Sequence, residues 1–352
     1  MPSLSDVMTD ARCPITVADY ERLARERVDA GAWDYQSGGS GDERSLADNL
    51  AAWDRLRLRP RVLVDVASRD LSTVAFGVAL EHPIIVAPTA AHRISHPDAE
   101  RASARGAAAA GALFTLSTIS SVPMEEVAAS GGPRWFQLYA PSDRDACRAL
   151  VERAAASGYS AVAVTVDLPL PGNRERDRRN AFEIDLGVHL PPDQPVDPDT
   201  GIVVLPTMDW EELAWLRSIC PIPLLAKGVL RADDAARAVD AGCDGIWVSN
   251  HGGRQLDTSV AAIDALPEIA SAVGDRALLV VDGGVRRGID VLKGLALGAD
   301  LVAVGRPILW GLAVDGADGV QRVLEILRDE LSLAMALTGC RTLSEVTPDL
   351  VV

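Results

Sequence analysis

The chain has 352 residues, 48% of them hydrophobic, and a formal net charge of −16. That length fits one large domain or two ordinary ones, with ample material for a core. No basic tract offsets the acidic balance, which argues against a nucleic-acid partner and requires any anionic ligand to be gripped by local arginines.

The opening Met1-Pro2-Ser3-Leu4-Ser5-Asp6 lacks the charged and apolar parts of a signal peptide. Residues 15–30 read as an amphipathic helix, with Thr16 and Asp19 offering caps. The glycine-rich stretch 36–41 reads as a loop; no strand precedes it, so it is no dinucleotide fingerprint. Residues 1–60 are expected to form an N-terminal helical cap on one structural domain spanning 61–352.

From residue 83 onward, short apolar runs alternate with alanine-rich helical ones. Strands are predicted at 83–88, 113–118, 134–139, 161–167, 223–228, 245–250, 278–282 and 301–305. Helices are predicted at 97–110, 143–157, 231–241, 261–273 and 288–297. Continuous rather than alternating apolar runs mark strands buried on both faces, as in parallel sheets. Eight strand–helix units fit a (β/α)8 TIM barrel better than the competing doubly wound open sheet. Residues 180–206, rich in proline and aspartate, are a candidate lid after the fourth strand.

No apolar run reaches the roughly 18 to 20 residues of a membrane span. The five cysteines are scattered and never spaced as C-x-x-C, which suits a reduced, cytoplasmic protein with buried thiols and no zinc site. His92 and His96 lack the further ligands a metal needs. His82 and His189 are expected at the surface or in loops.

Chemistry concentrates at the carboxyl ends of the strands, where barrel enzymes keep it. Strand six runs into Ser249-Asn250-His251-Gly252-Gly253-Arg254-Gln255-Leu256-Asp257. His251 can move a proton near neutral pH, and Arg254 can grip a carboxylate through two parallel bonds. Together they suit proton abstraction from a small acid. Asp167, sharing a strand face with Thr165, is placed to orient His251 and steady its protonated form. Gln137 and Tyr139 likewise share a face and can bond a ligand in the barrel mouth. Lys227 closes a strand after apolar residues and points to the ligand rather than to solvent. Asp282-Gly283-Gly284-Val285-Arg286 and Gly305-Arg306 end strands seven and eight, where many barrels hold a phosphate. Arg174 is a second candidate carboxylate clamp.

On these residues the chain resembles the flavin mononucleotide (FMN)-dependent 2-hydroxy-acid oxidases and dehydrogenases, the glycolate oxidase, lactate oxidase and mandelate dehydrogenase family. The likeness runs from about Tyr20 to Cys340. The 249–257 motif looks like the family's active-site signature, and Ala87-Pro88-Thr89-Ala90 also matches. The resemblance implies FMN as cofactor and an (S)-2-hydroxy acid as substrate. His251 would be the base and Asp167 its support. Arg254, Arg174 and Tyr35 would hold the substrate carboxylate, and Tyr139 would contact the substrate oxygen. Pro88, Thr89, Ala90, Ser117, Gln137, Thr165, Lys227 and Ser249 would line the flavin. Asp282, Gly283, Gly284, Arg286, Gly305 and Arg306 would hold its phosphate.

Ile119 stands where glycolate and lactate oxidases carry a large aromatic facing the substrate, and the segment between Arg179 and Trp210 is short. Both features resemble the hydroxymandelate oxidase branch and point to an aromatic substrate of the mandelate or 4-hydroxymandelate type. The same segment is too short and charged for the membrane insert of mandelate dehydrogenase. Ala90 resembles the oxidase members, which implies O2 as acceptor and H2O2 as product. A homotetramer is implied as well. The rival readings are a dehydrogenase serving a quinone or protein acceptor, an oxidase of lactate or glycolate, and a flavin- or phosphate-binding barrel without redox turnover.

Overall fold

The computed structural model describes residues 14–184, 187–189 and 208–352. Eight parallel strands close into a barrel: β3 (Ile84–Val86), β4 (Phe114–Ser117), β5 (Arg134–Leu138), β6 (Val162–Thr165), β7 (Leu224–Val229), β8 (Gly245–Val248), β9 (Leu278–Val281) and β10 (Leu301–Val304). Each pairs with its sequence neighbour, and β10 returns to β3 with Val302 opposite Ile84. All eight predicted strands and the five predicted barrel helices are present, with ends shifted by a residue or two.

Both faces of these strands are apolar, which is why the runs look continuous. The faces nevertheless separate by parity. Val86, Phe136, Val164, Ala226 and Ile246 point outward to the helices. Ile85, Trp135, Ala163, Leu225, Trp247, Val280 and Ala303 fill the barrel interior. The interior is closed from below by an antiparallel hairpin of β1 (Thr73–Ala75) and β2 (Val78–Leu80), whose Ala75, Phe76 and Leu80 pack on that interior cluster.

Thr16 caps the helix Val17–Arg27 through a capping box with Asp19, as the sequence predicts. Two expectations are corrected. The stretch 36–41 is only partly a loop, because the helix Ala30–Ser37 takes in Gln36 and Ser37. His82 and His189 are buried, not surface residues. Their ring nitrogens bond backbone groups: His82 the Ala110 carbonyl and Ile84 N–H, His189 the Met124 N–H and Thr118 carbonyl. Those bonds satisfy main-chain groups that burial would otherwise orphan.

Cys147, Cys220, Cys243 and Cys340 are buried and free; Cys13 lies outside the described residues. Of the candidate lid, residues 185–186 and 190–206 lie outside them too. Among the described residues no helix is long and apolar enough to cross a membrane, and no cluster of side chains could hold a metal.

Candidate active site

The interior parity builds the site. Counting two residues on from interior Trp135, Ala163, Leu225, Trp247 and Val280 gives Gln137, Thr165, Lys227, Ser249 and Asp282, the next layer toward the strand carboxyl ends. Two residues further come Tyr139, Asp167 and His251. Above this layer opens a cavity of about 820 Å³, within the usual size for a cofactor or ligand pocket.

His251 opens a single turn, His251–Gly253, with φ 58° at His251 itself. A left-handed histidine is strained and needs its surroundings to hold it. Ser249 Oγ accepts the His251 N–H at 3.0 Å. Asp167 Oδ1 lies 3.0 Å from His251 Nδ1, and Tyr139 OH lies 3.4 Å from Nε2. Burial pushes the imidazole below the ordinary 6.5, more than Asp167 raises it, so it rests neutral at pH 7. Burial raises Asp167, but the His251 interaction and Lys227 outweigh it and keep the carboxyl ionised. Its Oδ2 has no partner among the described residues. Burial also pushes the Tyr139 hydroxyl upward, so it stays protonated.

Gly228 makes room for that carboxylate. A methyl built there would lie 2.3 Å from Asp167 Cγ, and φ of 109° already disfavours a side chain.

A strap of N-terminal backbone crosses the mouth. Arg254 Nη1 donates to the carbonyls of Tyr35 (2.5 Å) and Gly38 (3.0 Å), and its guanidinium sits 4.7 Å over the Tyr35 ring. Burial, then Arg174, brings Arg254 down to about 10, still charged at neutral pH. Arg174 lines the same cavity with a buried Nε that has no partner among the described residues. Ile119 and Ala90 line it too.

On the far side, Lys227 Nζ lies 3.4 Å from Ser249 Oγ and 3.8 Å from Asp282 Oδ2. Asp282 Oδ2 also accepts the Trp247 indole N–H, whereas Oδ1 is buried without a partner among the described residues. Gly283 and Gly284 follow with φ of 94° and 82°, a backbone turn suited to an anion. Arg286 stacks on Trp310 at 4.7 Å. Gly305, Pro88 and Thr89 complete this wall, and Thr89 Oγ1 is held by His92 Nε2 at 2.7 Å. Ser117, Gln137 and Thr165 form a hydrogen-bonded row beneath the cavity.

The structure thus brings the predicted residues to one cavity or its first supports. Arg306 is the partial exception. It lines the cavity, but three of its donors serve backbone carbonyls: Gln36 (2.9 Å), Gly38 (2.8 Å) and Gly252 (3.1 Å).

Sequence reading missed Trp53, whose indole donates to the Gly283 carbonyl at 2.8 Å. It also missed Asn49, paired amide to amide with Asn250. Phe182 was missed as well; it stacks on Tyr35 at 5.2 Å and lines the cavity. Ala181 in a left-handed turn and the Phe182 N–H bond to the Asp177 carbonyl fix it there. An alanine in that conformation gives no sequence signal.

Comparison with known proteins decides the family. The FMN-dependent dehydrogenase family matches residues 24–352. The chain belongs to that family. An L-lactate oxidase of Nostoc sp. is 46% identical, covering 96% of this chain and 98% of the relative. Human 2-Hydroxyacid oxidase 1 is 44% identical, with 96% of each covered. A crystal structure of mandelate oxidase with benzoyl-formic acid superposes with a TM-score of 0.90 at 42% identity, over 97% of this chain and 98% of that one. The cofactor of this FMN-dependent dehydrogenase family member is FMN, and its chemistry is that of the 2-hydroxy-acid oxidases. The site fits FMN: Asp282 Oδ1 is an orphaned acceptor for a hydroxyl, and the 283–286 turn offers glycine backbone and a cation to a phosphate.

Proposed function

We propose that the chain oxidises 2-hydroxy acids carrying an aromatic substituent, of the mandelate or 4-hydroxymandelate type, to the 2-oxo acid, with O2 becoming H2O2. When bound, FMN takes the two electrons from the substrate and returns them to O2. Lys227, Ser117, Gln137, Thr165, Ser249 and the 88–90 segment would hold its ring, and Asp282, Gly283, Gly284, Arg286, Gly305 and Arg306 its phosphate arm.

The protein's own share is binding and proton transfer. Arg254 and Arg174 bind the substrate carboxylate, with Tyr35 beside them. Tyr139 OH bonds the substrate oxygen. His251 Nε2 accepts a proton, and Asp167 on Nδ1 steadies the imidazolium that results. The observation that carries this reading is the placement of the His251 ring. Nδ1 is held by Asp167, while Nε2 faces the cavity beside Tyr139, close to two arginines.

The aromatic preference is supported by Ile119, Leu168, Phe182 and Ile184, an apolar group on the cavity wall. A cytoplasmic location, which the scattered cysteines suit, and a homotetramer, which the family likeness implies, belong to the same proposal. The test is a panel of glycolate, lactate and both mandelate enantiomers, scored by anaerobic loss of the yellow absorbance, then by oxygen uptake against dye reduction. Fast bleaching by one mandelate enantiomer with matching oxygen uptake is expected. Faster bleaching by lactate or glycolate would overturn the aromatic assignment. Dye reduction without oxygen uptake would overturn the oxidase assignment.

A further inference from the structure

Two of the buried arginines share one acceptor. The carbonyl of Gly38 receives Arg306 Nη2 at 2.8 Å and Arg254 Nη1 at 3.0 Å. Arg306 also reaches the carbonyl of Gln36 at 2.9 Å and that of Gly252, the residue after His251, at 3.1 Å. A fifth bond, from the Ser40 N–H to the Gly253 carbonyl at 2.9 Å, runs directly between the strap and the turn. The strap 35–40 and the turn 251–254 are therefore stitched together by the guanidinium groups of Arg306 and Arg254 and by a main-chain bond.

Arg306 follows β10 after the single residue Gly305, at the first position of the long helix Arg306–Thr338, so its base is rigid. A guanidinium offers five donors in a fixed planar fork. Three of them serve carbonyls from two separate chain segments, and two have no partner among the described residues.

We propose that Arg306 is a positioning residue for the substrate clamp: by pinning the Gly38 carbonyl it fixes Arg254, and by pinning Gly252 it fixes the His251 turn. The inference rests on the reading of Arg254 as the carboxylate clamp and of the 283–306 wall as the phosphate site. It has a functional consequence. The two donors left on Arg306 are available to the cofactor phosphate, and the shared carbonyl passes that restraint to Arg254. Cofactor phosphate and substrate carboxylate are then coupled through one backbone oxygen, and such couplings are reciprocal.

The test uses oxalate, a non-reacting dicarboxylate, titrated into holoenzyme saturated with FMN and read from the flavin absorbance. Arg306→Lys, which cannot reproduce the fork, should weaken oxalate by about 10-fold, a typical coupling magnitude. In the double variant with Arg254→Lys the losses should not multiply, because both act through the same carbonyl. Wild-type oxalate affinity in Arg306→Lys, or losses that multiply, would overturn the proposal. If Arg254→Lys alone leaves oxalate binding unchanged, the clamp reading itself fails and takes this inference with it.

One further readout needs no substitution and keeps the idea testable should Arg306→Lys fold poorly. Wild-type enzyme loaded with riboflavin, which lacks the phosphate, should bind oxalate several-fold more weakly than the FMN form, within the usual coupling range; equal affinities would refute the coupling. Where Arg306→Lys folds, its holoenzyme should also show faster amide exchange across residues 36–41, and unchanged exchange would refute the pinning.

Discussion

At the scale of single residues, the site turns on how one imidazole is kept neutral yet ready to charge. Burial lowers His251 below 6.5, and Asp167 opposes that shift without overcoming it. A base must be unprotonated in the free enzyme, so kcat/KM should be full above the lowered pKa and fall as pH drops through it. The acid limb is expected below pH 6.5. Asp167→Asn removes the charge that raises the histidine, so the limb should move to still lower pH. The plateau should also fall by about 10²- to 10⁴-fold, since the imidazolium formed during turnover loses its counter-charge. Gly228→Ala presses a methyl onto the same carboxylate, 2.3 Å from its carbon, and should cost at least about 10-fold in rate. Added to Asp167→Asn it should cost little more, because both act on one contact. A pH–rate series on the four proteins checks this. An acid limb that moves upward in Asp167→Asn would remove Asp167 from its role.

At the scale of elements, what the sequence reveals depends on whether a helix announces its own start. Thr16 and Asp19 form a capping box, and that helix is legible. The helix Arg44–Arg55 is not. It follows Glu43 at φ 61°, with no side-chain cap, so its beginning is set by contacts far along the chain. Yet it holds the site together. Trp53 donates to the Gly283 carbonyl, and Asn49 pairs with Asn250 beside the histidine. The approach is so close that a methyl on Gly284 would lie 1.8 Å from the Asn49 carbonyl oxygen. Trp53→Phe keeps the ring and deletes the hydrogen bond. A bond of this kind contributes roughly 1 kcal/mol, so the FMN dissociation constant should rise about 5-fold. Substrate KM at saturating FMN should stay near wild type, because the strap and Arg254 are untouched. Fluorescence titration of the apoprotein with FMN measures the first, steady-state kinetics the second. Unchanged FMN affinity would detach this helix from the phosphate turn.

At the scale of the whole molecule, the barrel was legible because strand parity carries straight into function: each interior residue predicts the site residue two or four positions on. The hairpin beneath the barrel and the 33-residue helix Arg306–Thr338 were not legible. The first is two three-residue strands, and the second breaks at Asp315 and Gly316, so neither shows a clean period. The buried histidines were misread for a related reason, since nothing local says that a polar ring will serve buried backbone. They have a collective consequence. His82, His92, His189 and His251 are all held below 6.5, burial being the first cause in each. A depressed folded-state pKa means the unfolded chain binds more protons below 6.5. The stability these groups contribute is therefore complete above 6.5 and is lost as pH falls through their folded values. Each histidine gives up at most about 1.4 kcal/mol per pH unit in that window. Asp177, Asp290 and Asp300, held above 3.8 by burial, pull the other way. The comparison that isolates the histidines is thus wild type against His82→Gln, which lies far from the chemistry and has one fewer titrating ring. The thermal midpoint of wild type should drop as pH falls below 6.5, and the variant's should drop less steeply, having one such site fewer. Parallel curves for the two proteins would show that His82 is not held neutral by the fold.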